Sequence, residues 1–192
     1  MRKLLRELAA VQIGYQLPGR IPHDSATLYR IIQMRDLDDA GGLCVEKMAY
    51  FIPQRDAERY IVRDGDMVFQ ARGTRNLAFV LRDVPPDTLA SNHFYIVRIR
   101  PDVVMPEYVA WFVNQPSAQA HLTGKAQGTT MMLVPKEAFE SLEVEVPPLA
   151  VQRTIVEIAA LRQRERGLIE HLERKRDTLI RTLCLRAAQR AE

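Results

Sequence analysis

Val146-Pro147-Pro148-Leu149-Ala150-Val151-Gln152 is the stretch on which the reading of this chain turns. Two adjacent prolines remove two backbone donors and fix φ, so the strand-like Glu143-Val144-Glu145-Val146 must stop there. From Leu149 to about Ala188 there is then no proline and a single glycine, Gly167, among residues that favour helix. One uninterrupted helix is expected. At about 1.5 Å per residue it reaches on the order of 55 to 60 Å, longer than a small domain is wide, so part of it should project.

The apolar positions of this helix, Val151, Ile155, Ile158, Ile169, Leu172, Leu179 and Leu183, follow alternating steps of four and three. Arg162, Glu165 and Arg176 fill the remaining places of the seam. Such a heptad pattern suits packing on another long helix in a coiled coil, with Ile155, Ile158, Ile169, Leu172, Leu179 and Leu183 as the pairing residues. The alternative is a helix folded back on its own domain.

Upstream of the prolines, short segments broken by turn residues predict an α+β body with a β-rich core. Tyr29-Arg30-Ile31-Ile32-Gln33-Met34 and the run from Asn92 to Arg100 have the β-branched and aromatic enrichment of strands. Asp64-Gly65-Asp66 is a turn feeding a buried strand, Met67-Val68-Phe69, that ends near Gly73. Pro106-Glu107-Tyr108 opens a helix running to Asn114, because proline suits a first helical turn and an acid suits the positive helix end. Ser117 to His121 is expected to add a short turn, and Pro135 to Leu142 another short helix. The resulting division is residues 1–146 as a globular domain and residues 147–192 as a long dimerisation or spacer helix.

Charge distribution says more than the net +3. Residues 151–192 hold ten Lys or Arg against six acids, whereas the first 150 hold 17 against 18, so the body is not a polybasic sponge. Within it, residues 51–100 carry eight arginines and no lysine. A phosphate-facing surface on this body would be a local, Arg-rich one.

Cys44 and Cys184 match neither a disulfide framework nor a zinc spacing, which points to a reducing compartment. The N-terminal apolar run is broken by Arg6 and Glu7 before a secretory core can form, and no run of about 18 apolar residues suggests a membrane span. A cytoplasmic protein is expected.

The parts of a catalytic centre are missing from the sequence. His23, His93, His121 and His171 sit in no metal-ligand spacing, and there is no nucleophile elbow, phosphate loop or dinucleotide-binding glycine triplet. Asp64 and Asp66 read more simply as a turn held by side-chain to backbone bonds than as a carboxylate pair. No enzymatic activity, cofactor or metal is expected.

Three stretches, taken in order, resemble the specificity subunits of type I restriction–modification systems. Gln12-Ile13-Gly14-Tyr15-Gln16-Leu17-Pro18-Gly19-Arg20 followed by Ile32-Gln33-Met34-Arg35-Asp36-Leu37 is similar to that family's glycine-aromatic loop and the strand after it. Tyr60 to Phe69, followed by Gly73, is similar to its glycine-aspartate and apolar-strand segment. The longest match runs from Pro106-Glu107-Tyr108 through Gln127-Gly128-Thr129-Thr130 to Val146-Pro147-Pro148-Leu149-Ala150-Val151-Gln152 and Ile155.

The resemblance implies a target-recognition domain that reads double-stranded DNA and directs a DNA methyltransferase subunit and a motor-nuclease subunit to their site. Such subunits carry two recognition domains, each followed by a long helix, whereas this sequence has one of each. It resembles a half-subunit. Two copies pairing through residues 150–188 would make a homodimer and an interrupted palindromic target. Val151 also departs from the family, which often has an acid before the glutamine.

Three loops combine glycine with cationic, amide or hydroxyl side chains: residues 14–20, 70–76 and 124–130. Glycine lets backbone N–H groups approach phosphate, Arg can bind guanine in bidentate fashion, and Gln or Asn can do so to adenine. Arg20, Arg72, Arg75, Asn76, Lys125, Gln127 and Thr129 are accordingly the candidate DNA-binding residues. The rival reading is a helical adaptor that assembles a complex without reading sequence.

Overall fold

The computed structural model describes residues 1–17, 29–37, 42–53, 57–73, 75–128 and 132–189. Nine strands and five α-helices are found among them: β1 (Arg2–Leu4), α1 (Leu5–Leu8), β2 (Ala9–Ile13), β3 (Tyr29–Ile32), β4 (Ala49–Phe51), β5 (Met67–Gln70), β6 (Ala78–Val80), β7 (Thr88–Ala90), β8 (Phe94–Ile99), α2 (Pro106–Val113), α3 (Pro116–Lys125), α4 (Lys136–Glu140), β9 (Glu143–Glu145) and α5 (Leu149–Gln189). The expected α+β class with a long C-terminal helix is what the chain forms. By its internal contacts it divides into two units, Met1–Arg153 and Thr154–Glu192.

A four-stranded sheet in the order β2-β8-β5-β6 forms the centre of the first unit. All its pairings are antiparallel, with Ile13 opposite Tyr95 and Gln70 opposite Phe94. A second sheet, β4-β3-β7, pairs β3 with β7 in parallel, so that Ile32 lies beside Ala90. Side chains alternate across a pleated strand. Val68 and Ile96 of the first sheet therefore meet Ile32 and Ala90 of the second in a shared core with Phe94, Met48, Val62 and Leu81. On its other face the first sheet stacks Phe69 on Phe139 of α4, ring centroids 4.1 Å apart.

Proline sets the helix starts. Pro106 and Pro116 both occupy the first turn of their helices, where a missing N–H costs nothing. The short turn expected at Ser117 to His121 is a full ten-residue helix, α3, because Pro116 restarts the helix rather than ending it. The strand expected from Asn92 begins at Phe94, and Met34–Asp36 is a 3₁₀ turn that cuts β3 short.

The Pro147-Pro148 corner is locked by Gln152. Its side chain is fully buried, accepting a hydrogen bond from the Met105 N–H (2.9 Å) and donating to the carbonyls of Pro147 (2.8 Å) and Val103 (3.3 Å). Beyond it, α5 leaves Ile158, Leu161, Leu168, Ile169, Leu172 and Leu179 half or more exposed. No described helix is long and apolar enough to cross a membrane.

Candidate nucleic-acid interface

The pairing registers bring distant loops to one end of the sheets. β2 and β5 run toward that end and β8 starts from it, since Ile13 and Gln70 lie beside Tyr95 and Phe94. β3 and β7 end there too, the Ser91 N–H donating to the Ile32 carbonyl at 3.0 Å. The turn at residues 91–93 is the hub.

Each loop is tied to this hub by main-chain hydrogen bonds. Gly14 N–H donates to the Phe94 carbonyl (2.9 Å) and Tyr15 N–H to that of Ala90 (2.7 Å), while the N–H groups of Ala71 (2.9 Å) and Arg72 (3.3 Å) share the His93 carbonyl. Glycine is required at position 14, where a Cβ would lie 2.2 Å from the Ser91 oxygen. The segment after residue 131 joins them: Gly73 N–H donates to Met132 (3.1 Å), Val134 N–H to Ala71 (2.9 Å), and Gln127 and Leu133 exchange two bonds (2.9 and 2.8 Å). The Tyr95 hydroxyl donates to the Val134 carbonyl at 2.7 Å and pins that segment from below. Burial, followed by the nearby Glu137 charge, raises its pKa.

The structure thus brings Arg72, Arg75 and Asn76 of one loop beside Gln127 and Lys125, from parts of the chain about 50 residues apart; Gly124 and Lys125, expected in the loop, form the last turn of α3 instead. Arg75, Lys125 and Gln127 are exposed and Arg72 is half-buried. Gly73 and Gly128 hold φ of 119° and 111°, a region open chiefly to glycine, and so let these loops turn back on themselves. Arg20 and Thr129 lie outside the described residues.

Asn76 has a different local task. It is buried, and its side-chain nitrogen donates to the Gln70 (3.0 Å) and Ala71 (3.3 Å) carbonyls, closing the loop that carries Arg72 and Arg75. Gln119 of α3 braces the same loop by donating to the Asn76 carbonyl at 2.8 Å.

Residues the sequence reading passed over also stand at this end. The turn Gln33 to Asp36 abuts the Arg72 loop, Gln70 Nε2 lying 3.3 Å from Met34 Sδ and 3.2 Å from the Arg72 carbonyl. Asp36 is fully buried and its Oδ2 accepts the Gln33 N–H at 2.8 Å, while the exposed Arg35 keeps its Nε 3.8 Å from Asp36 Oδ1. Burial raises the Asp36 pKa, opposed by that hydrogen bond and by Arg35 and Lys47. His93 is half-buried, and desolvation followed by the Arg72 charge lowers its pKa. Only the parallel β3–β7 pairing places Arg35 here, and no local pattern announces a pairing across nearly 60 residues.

Gln33 Nε2, Asp36 Oδ1 and Ser91 Oγ are buried without a hydrogen-bond partner among the described residues, Asp36 Oδ1 having the Arg35 guanidinium 3.8 Å away. Such atoms are uncommon in folded proteins, each costing about 1–3 kcal/mol. All three lie in the turns of this end. Asp66, by contrast, holds its own turn by accepting the Arg63 N–H (3.1 Å), and Asp64 ties that turn to the loop after β6 by accepting the Val84 N–H (2.8 Å). Among the described residues no group of three His, Cys, Asp or Glu is placed to hold a metal.

No family model and no curated protein matches the chain. Solved structures do. A type I restriction–modification system S subunit from M. genitalium aligns with a TM-score of 0.56 at 12% identity, over 84% of this chain and 38% of that one. An HsdS subunit from Thermoanaerobacter tengcongensis aligns at 0.62 and 21% identity, over 88% and 43%. A chain from a structural study of complex assembly and conformational transition in the type I restriction–modification system aligns at 0.66 and 16% identity, over 95% and 43%. The chain therefore spans about two-fifths of the length of these structures. At such identities the likeness is one of fold, and the fold is that found in S subunits of type I restriction–modification systems.

Proposed function

We propose that this chain is a sequence-specific DNA-recognition subunit of a type I-like restriction–modification complex, acting in phage defence without a catalytic centre of its own. The observation that carries this reading is the gathering of Arg72, Arg75 and Gln127 with Lys125, at the end of α3, and Arg35 at one end of the sheets. Phosphate contacts set register and base-edge contacts set specificity, and this end offers groups for both. In this reading Arg72, Arg75 and Gln127 reach base edges, Lys125 and Arg35 hold phosphate, and Asn76 shapes the loop. Arg20 and Thr129 complete the set.

A methyltransferase subunit would modify the chosen site and a motor-nuclease subunit would cut, so the chain's own work is selection and assembly. Residues 147–192 form the pairing element, through Ile155, Ile158, Ile169, Leu172, Leu179 and Leu183. A second reader brought alongside by that helix makes the target bipartite. Selection from a random duplex pool, by the chain alone and with its methyltransferase, tests the proposal. An enriched bipartite sequence is expected.

The long apolar face exposed on α5 favours a second reading, a helical adaptor that assembles the complex without reading DNA. In the same selection the adaptor enriches no sequence.

A further inference from the structure

The Phe94 N–H donates to the Ser91 carbonyl at 2.9 Å, closing a tight turn with Asn92 and His93 at its tip. Three segments hold this turn from different parts of the chain. The Asn92 N–H donates to the Tyr15 carbonyl (2.9 Å), the Ser91 N–H to that of Ile32 (3.0 Å), and the His93 carbonyl takes the N–H groups of Ala71 and Arg72 (2.9 and 3.3 Å). Ser91 is fully buried, whereas Asn92 and His93 are half-buried. The tip is thus presented by the sheets themselves, on a backbone with little freedom to move.

Among the described residues the His93 ring nitrogens have no hydrogen-bond partner, and no acid pairs with the half-buried Arg72 guanidinium. Burial first, and the Arg72 charge second, oppose protonation of the His93 ring. Glu137 and Glu140 act, with Arg72, on the Tyr95 hydroxyl and not on His93. Near neutral pH the ring is therefore uncharged, with one donor nitrogen and one acceptor.

That charge state selects the group the tip meets. A phosphate oxygen only accepts, and its negative charge favours the protonated ring that burial and Arg72 oppose. A base edge carries donors and acceptors without net charge and suits a neutral imidazole. Arg72, tied by its N–H to the His93 carbonyl, emerges from the neighbouring strand end. Bases follow one another at about 3.4 Å along a strand of duplex DNA, so two side chains set side by side meet neighbouring pairs.

Resting on the DNA reading proposed above, we infer that His93 is a further specificity-determining residue: its imidazole contacts a base edge next to the one that Arg72 reads. Arg72 and His93 form a two-position reader on a rigid turn. No glycine-rich pattern marks His93 in the sequence, because strand β8 and its register, not a loop motif, bring it to this end.

The duplex selection, run on the full chain as parent, H93A and R72A, tests this, with circular dichroism verifying the fold of each. H93A should lose preference at one position, adjacent to the position lost in R72A. Its affinity for the preferred duplex should fall roughly tenfold and that for a scrambled duplex should stay within about threefold of the parent. Where H93A fails to fold, H93Q, which keeps a donor and an acceptor, should alter preference at that same adjacent position. Loss confined to the Arg72 position would make His93 only a support for that arginine, and an unaltered preference would make it idle. Equal weakening on all duplexes, with a parent affinity that rises for every sequence as pH falls from about 8 to 6, would make it a phosphate anchor. Each of these three results overturns the inference while leaving DNA reading intact. A parent that enriches no sequence overturns DNA reading itself, and this inference with it.

Discussion

Asn114, the residue that ends α2, pairs with the backbone of Ala78 through both ends of its amide: the Ala78 N–H donates to Oδ1 at 2.8 Å, and Nδ2 donates to the Ala78 carbonyl at 2.8 Å. One side chain thus does for the outer edge of β6 what a further strand would do, and satisfies main-chain groups that a sheet edge otherwise leaves open. β6 follows directly on the loop that carries Arg72 and Arg75. The helix layer therefore reaches the candidate interface through this contact.

Asn114→Ala should lower stability by about 1–3 kcal/mol, because both Ala78 groups lose a partner where water has poor access. Asn114→Asp keeps the acceptor and loses the donor, so it should fall between the two. Urea unfolding of the three proteins measures this, and an unaltered midpoint for Asn114→Ala would refute the pairing.

Gln152→Ala removes three hydrogen bonds from a fully buried site at once and should cost on the order of 3 kcal/mol. Gln152→Glu should be no better, since it drops both donor bonds and buries a charge. Thermal unfolding compares the variants, and a Gln152→Glu protein as stable as the parent would show that the amide donors are idle.

Gly14→Ala should be disruptive out of proportion to one methyl group. Its Cβ would sit 2.2 Å from the Ser91 oxygen and 2.5 Å from that of Ala90, both backbone atoms with little freedom to move. Overpacking of this kind costs about 1–3 kcal/mol or more. Amide exchange should show the loss of protection concentrated at Tyr15, Ser91 and Phe94; protection equal to that of the parent would contradict the close approach.

Stability should respond to pH through Asp36. Its pKa is raised from 3.8 by burial, so the folded protein binds the proton more tightly than the unfolded chain does. The resulting stabilisation is fully present below 3.8 and is lost as pH rises through the folded value. Asp36→Asn should therefore gain on the parent as pH increases across that window, and Asn retains an oxygen to accept the Gln33 N–H. Denaturation midpoints of the pair at a series of pH values decide it, a constant difference being the contrary result.

The loop residues should separate into two kinds of effect on DNA. Arg72→Ala or Arg75→Ala should lose about 1–3 kcal/mol on the preferred duplex and relax preference at one position. Lys125→Ala and Arg35→Ala should weaken all sequences alike and reduce the salt slope by about 1. Binding isotherms at several salt concentrations distinguish them. If Arg72→Ala and Arg75→Ala change neither affinity nor preference, the base-reading assignment is wrong.

The sequence by itself determined what depends on neighbours along the chain. Pro147-Pro148 and the run after it specify a helix that the structure extends from Leu149 to Gln189, and Pro106 specifies the start of α2, because proline geometry and helix propensity act within a few residues. The Asp64-Gly65-Asp66 turn was legible for the same reason. The described parts of the segments at 14–20, 70–76 and 124–130 lie at one end of the sheets, yet nothing local required it. Tertiary structure alone decided that Arg35 stands with Arg72, that Asn76 faces inward, and that Asn114 closes a strand edge. Those outcomes depend on the β3–β7, β5–β8 and β6–α2 contacts, formed across tens of residues, where the direction of a side chain is set by strand register and packing rather than by residue type.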